Sequence, residues 1–87
     1  MKARKTLVQV LSGSKNVHFG DFVILLEAFG FELKRTKGSH HIFKHPDVPE
    51  LLSIQPSSEQ QAKPYQMRQF LKIVEEYNLK IRGEKAE

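Results

Sequence analysis

Between two apolar segments the chain reads Lys34-Arg35-Thr36-Lys37-Gly38-Ser39-His40-His41-Ile42-Phe43-Lys44-His45. This stretch holds four of the 14 Lys and Arg residues and three of the four histidines, and no acid falls between Glu32 and Asp47. Imidazole can take or give a proton near neutrality. Cations beside it suit chemistry on a phosphate. RNA is the first substrate to consider, because it carries its own nucleophile, the 2′-hydroxyl. Cleavage needs a base for that proton, cations to hold charge on the phosphorane, and an acid for the leaving 5′-oxygen. Lys37 and Arg35 could stabilise the charge, Gly38 lets the backbone approach a phosphate, and Ser39 could donate a hydrogen bond. DNA lacks the 2′-hydroxyl and cannot react this way.

His40, His41 and His45 resemble a metal-ligand cluster only in one dimension. Side chains alternate along a strand, so His40 and His41 diverge. His41 and His45 share a face but lie roughly 13 Å apart at about 3.3 Å per residue. Zinc ligands must converge at about 2 Å from the ion. No metal and no other cofactor is expected.

The elements that must position this stretch follow from periodicity. Met1 to Lys5 reads as a basic tail, and Thr6 to Leu11 as a short helix with Leu7, Val10 and Leu11 on one face. Ser12 to Asn16 is a turn cluster. A second helix opens at or near Asp21 as N-cap, with Phe19 placed to staple its start. It carries Phe22, Leu25, Leu26 and Phe29 as a stripe and stops at Gly30. Phe31 to Thr36 reads as a strand in which Phe31, Leu33 and Arg35 share a face. Lys37-Gly38 is the turn, Ser39 to Lys44 the second strand and Leu51 to Gln55 the third. Pro56 to Lys63 is polar and either reaches over the sheet or moves. Pro64 opens a last helix with Met67, Phe70, Leu71, Val74 and Tyr77 at 3 and 4 spacing, and Asn78 stops it.

The order is α-α-β-β-β-α. Short turns impose an antiparallel meander, and both striped helices must bury against one sheet face. The expectation is therefore an α+β sandwich with one face open. Alternation groups His41 with Phe43, and His40 with Ile42 and Lys44. Phe43 is the better core candidate, which turns His41 toward the helices and leaves His40 near the open face; if Ile42 is buried instead, the two histidines exchange faces.

At 87 residues the chain has room for one core, and 39% hydrophobic residues support a thin one. With no cysteine, a disulfide framework and a Cys-based zinc site are excluded. The only apolar run behind the basic N-terminus is Leu7 to Leu11, too short for a membrane span. A cytoplasmic setting is expected. The net charge of +4 favours an anionic partner.

The succession Leu25-Leu26, Phe29-Gly30-Phe31 and Arg35-Thr36-Lys37-Gly38-Ser39-His40-His41-Ile42-Phe43, with Arg68-Gln69-Phe70-Leu71-Lys72 later, resembles the HicA toxins of bacterial type II toxin–antitoxin modules. A helix ending in Gly-Phe, a strand carrying Arg, and Gly-Ser-His opening the next strand are the shared features. The resemblance implies a double-stranded-RNA-binding-domain-like fold and an mRNA interferase, an endoribonuclease with His40 as the catalytic residue. Arg35, Lys37, Gly38, Ser39 and Lys44 would contact RNA. It also implies a HicB-like antitoxin as partner, and leaves a dimer or a toxin–antitoxin hetero-oligomer open. Residues 1–17 would be an N-terminal extension, 18–80 the HicA-like domain and 81–87 a solvated tail. Many members carry Pro-x-His after the third strand; here Gln55-Pro56-Ser57-Ser58 lacks that histidine. The second acid–base group stays open among Lys37, His41 and His45. The competing reading is an RNA-binding module of the same fold that cleaves nothing, since double-stranded RNA is read largely by shape and phosphate contacts.

Overall fold

A computed structural model describes residues 2–82. Its elements are α1 (Lys2–Leu11), α2 (Phe19–Ala28), β1 (Glu32–Lys37), β2 (His40–Lys44), β3 (Leu52–Ile54) and α3 (Pro64–Glu76). The order α-α-β-β-β-α and the antiparallel sheet β1-β2-β3 are those expected from the sequence. Among the described residues no helix is long and apolar enough to cross a membrane.

The core lies between the helices and one face of the sheet. Phe43, Leu52 and Ile54 from the strands are fully buried together with Phe22, Leu25, Leu26 and Phe70 from the helices. Phe70 is the centre of this layer. Its ring meets Phe22 at 5.7 Å and Phe29 at 5.3 Å, both nearly edge-on, and Phe31 at 6.2 Å. Edge-to-face pairs add about 0.5–1.5 kcal/mol each beyond the area they bury.

α2 and α3 follow their stripes. In α3, Pro64 stands in the first turn, where its missing N–H costs nothing. Met67 and Phe70 are buried, and Leu71, Val74 and Tyr77 pack half-buried beside them. The start of α2 differs from expectation. His18, not Asp21, is the N-cap: its Nδ1 accepts from the Gly20 amide at 3.1 Å. Phe19 is the first helical residue rather than a staple before it. Asp21 lies in the first turn, where the helix dipole favours an acid, 3.4 Å from Lys2 Nζ.

α1 begins at Lys2 rather than at Thr6, so Lys2 to Lys5 of the expected basic tail are helical, and Met1 lies outside the described residues. It packs on α2 through Ala3, Thr6 and Val10, while Leu7 is half-buried and Leu11 is 63% exposed. Small Ala3 and Thr6 let the two helices approach closely. A count of large apolar residues points to the neighbouring face instead.

All three helices end in the same motif. The amides of Ser14, Phe31 and Leu79 reach back five residues to the carbonyls of Gln9, Leu26 and Val74. The preceding amides of Gly13, Gly30 and Asn78 reach back three. Such Schellman ends need a left-handed residue, here Gly13, Gly30 and Asn78 at φ +81°, +99° and +53°. At Gly30 a Cβ would also meet the Arg82 guanidinium, the far end of a flexible side chain that can move aside, so the backbone angle is what calls for glycine.

The polar segment 56–63 neither lies over the sheet nor hangs free. Phe19 N donates to Gln60 O at 2.9 Å and Ala62 N to Val17 O at 2.8 Å, with His18 and Gln61 paired between them. Gln66, buried, accepts the Gln55 amide on its Oε1 at 3.1 Å. Beyond α3, Leu79 is buried, Ile81 is half-buried against the core, and the Arg82 amide donates to Ala28 O at 2.6 Å. Residues 83–87 of the expected tail lie outside the described residues.

Candidate nucleic-acid interface

The site grows from the β1–β2 hairpin. Lys37 pairs with His40, so the two-residue loop is Gly38-Ser39, one residue later than expected. Gly38 has φ +60° and Ser39 is not in the left-handed region. That is the type II′ pattern, whose twist matches the flanking strands and whose first position favours glycine. A Cβ at Gly38 would meet nothing within 4 Å, so the tip is open to a ligand's approach.

Register assigns the faces. His41 pairs with Ile54 and Phe43 with Leu52, and both partners are buried under the helices. His40, Ile42 and Lys44 therefore take the opposite, open face. On β1 the ladder skips between Leu33 and Arg35, which makes Lys34 the extra residue of a β-bulge. Without the bulge, Arg35 would share the face of Phe31 and Leu33, as simple alternation suggested. With it, Arg35 pairs with Ile42 and Lys37 with His40, and both cations join the open face.

The four histidines separate by environment. His18 caps α2. His41, on the helix side, packs edge-on against Phe19 at 5.1 Å and donates from Nδ1 to the Ser39 carbonyl at 3.0 Å, which steadies the turn. His45 is buried at 3% exposure, and both ring nitrogens are engaged. Its Nδ1 accepts from the Asp47 amide at 3.0 Å, so its Nε2–H donates to the Phe29 carbonyl at 3.0 Å. These two contacts together specify one tautomer, with the proton on Nε2. His40 alone is exposed on the open face, with Ser53 Oγ 3.5 Å from its Nδ1 and no partner on Nε2 among the described residues.

The charges around His40 are mostly available. Arg35 and Lys37 form no ion pair among the described residues, and the Ser39 hydroxyl is exposed at the tip. Lys44 is half-buried, and its Nζ reaches toward the Val48 carbonyl at 3.5 Å. Glu32 lies at the far end of the face, across from Lys44, where Lys34 holds it at 3.2 Å. No carboxylate faces His40 from the strands on either side. Among the described residues no group of three or more His, Cys, Asp or Glu side chains could hold a metal ion.

Sequence reasoning missed Ser53. Its only local signal is a small polar residue between two apolar ones, Leu52 and Ile54. That pattern puts it on the open face but does not say which neighbour it meets. The bulge at Lys34 had no local signal, since β2 defines it.

The comparisons with known proteins bear on the same segment. Residues 19–75, well over half of the chain, match the family model described as HicA toxin of bacterial toxin–antitoxin. No curated protein and no solved structure matches. HicA domains have a double-stranded-RNA-binding-domain-like fold, and the matched segment here holds α2, the three-stranded antiparallel sheet and α3, with α1 preceding it. A toxin of this kind is paired with an antitoxin, and the family acts generally as an RNase. By its sequence match and by its architecture, the chain belongs to the HicA toxin family.

Proposed function

We propose that the chain is an mRNA interferase, a cytoplasmic endoribonuclease that cleaves RNA by histidine acid–base catalysis and needs no metal. The observation that carries this is the contrast among the histidines: three are engaged in capping, packing or burial, and His40 alone stands exposed among free cations. In the proposed reaction the 2′-oxygen bonds to phosphorus and its proton passes to His40. The P–O5′ bond breaks, and the 5′-oxygen takes a proton from an acid. The products are a 2′,3′-cyclic phosphate and a 5′-hydroxyl. Arg35 and Lys37 stabilise the pentavalent intermediate's charge. The Gly38 tip admits the backbone, Ser39 donates to a phosphate oxygen, and Lys44 contacts the strand further along.

The second acid–base group is then Lys37 or water. His45 is buried, and His41 points its Nδ1–H at Ser39 on the other face. A HicB-like antitoxin would silence the site, and an acidic partner suits its charge.

The test compares wild type and His40→Ala on an unstructured RNA, with and without EDTA. Wild type should cleave in both conditions, leaving cyclic-phosphate ends, while His40→Ala binds but does not cleave. If both bind equally and neither cleaves, the domain is a non-catalytic RNA-binding module. Lack of binding even at low salt, where phosphate contacts are strongest, would exclude RNA altogether.

A further inference from the structure

We infer that Ser53 is a positioning residue for His40: its hydroxyl oxygen accepts from His40 Nδ1–H and keeps Nε2 as the nitrogen that exchanges protons with RNA. The inference rests on the proposed role of His40. Ser53 sits on β3, pairs with Ile42 and so lies diagonally beside His40 on the open face. Its place is fixed from below, because Leu52 and Ile54 on either side are fully buried. The Oγ lies 3.5 Å from Nδ1, a long contact of the kind that shortens when a substrate closes on the site.

The chemistry asks for an acceptor at this point. As a base, His40 must offer an unprotonated nitrogen to the 2′-hydroxyl. As an acid it must carry protons on both nitrogens. If Nε2 is the working atom, Nδ1 holds its proton in both forms. One acceptor beside Nδ1 therefore serves the whole cycle, whereas a donor there would favour the wrong tautomer. A hydroxyl can fill the role without net charge. A carboxylate would orient the ring as well but would repel the phosphates that Arg35 and Lys37 attract. The exposed Nε2 faces solvent with no competing partner among the described residues.

The experiment records the side-chain ¹⁵N spectrum of His40 at a pH where the ring is neutral, in wild type, Ser53→Ala and Ser53→Thr. Turnover of an unstructured RNA is measured alongside. Wild type should show a protonated Nδ1 and a free Nε2. Ser53→Ala should move the population toward Nε2–H and lower kcat about fivefold, the factor that one neutral hydrogen bond supplies, with KM unchanged. Ser53→Thr, which keeps the hydroxyl, should restore both. The same tautomer in wild type and Ser53→Ala overturns the inference, whatever happens to turnover. If the tautomer follows Ser53 but wild type leaves RNA intact, Ser53 still orients His40 and only the nuclease assignment falls.

Discussion

Substituting His45 tests how far a histidine of this chain can matter without touching RNA. In His45→Ala two hydrogen bonds disappear, and the Phe29 carbonyl loses its imidazole donor inside the protein. The ring's contact with Phe31 at 5.1 Å goes with them. A lost bond that strands a buried carbonyl costs about 1–3 kcal/mol. The lost packing adds roughly another 1 kcal/mol. The expected loss is about 3 kcal/mol, a large share of the roughly 5–15 kcal/mol that holds a small domain folded. At about 4–8 °C per kcal/mol, the Tm should fall by roughly 12–24 °C. His45→Asn makes the test sharper. Its amide oxygen can still accept the Asp47 amide two residues on, as in an Asx turn, but cannot reach Phe29. It should recover about 1 kcal/mol of the loss. Urea denaturation with a common m-value measures both. A loss below about 1 kcal/mol in the Ala variant, or an Asn variant no better than Ala, would refute the assignment of both ring nitrogens. His40→Ala, at an exposed position, should change stability by no more than about 0.5 kcal/mol. Both variants could abolish cleavage in cells, and only stability separates the two causes.

Three further outcomes are expected. Deleting Lys34 removes the extra residue of the bulge and leaves every other pair in register, so fold and RNA binding should survive; circular dichroism and a binding titration check this, and loss of binding would show that the bulge's shape itself is needed. Arg35→Ala should weaken binding to single-stranded RNA and lower the slope of log K against log salt by about 0.7, as loss of one phosphate contact requires. Partial burial first, then the carboxylates of Glu50 and Glu76, push the Tyr77 phenol above its usual 10.0. The folded state therefore favours the protonated phenol, and its contribution is full below the unfolded value and lost as pH rises through the folded one. Stability of the wild type should then fall more steeply above about pH 10 than that of Tyr77→Phe, as followed by denaturant midpoints.

The parts of the fold legible in the sequence are those set by local pattern. Phe22, Leu25, Leu26 and Phe29 define α2 without reference to anything else, and Gly30 and Asn78 mark helix ends because left-handed backbone favours those residues. The face of His40 followed from Phe43 being the better core residue on β2. What stayed hidden depends on a partner strand or helix. The buried face of α1 is chosen by how closely α2 can approach Ala3 and Thr6. The face of Arg35 is chosen by the bulge, which exists only relative to β2. Burial of His45 needs the Phe29 carbonyl, far back in the chain. Ser53 acquires a neighbour only when β3 docks on β2.

The hydrogen bonds between residues 17–19 and 60–62 join two positions far apart in the sequence, and the starts of α2 and α3 with them. Phe19, which donates to Gln60, also packs its ring against His41, and His41 holds the Ser39 carbonyl beside His40. The amides of Phe19 and Ala62 should thus exchange with solvent as one protected unit, not as ends of separate helices. Opening that unit would release Phe19 from beneath the hairpin. The turn that carries His40 is, in this sense, only as rigid as a clasp on the opposite side of the sheet.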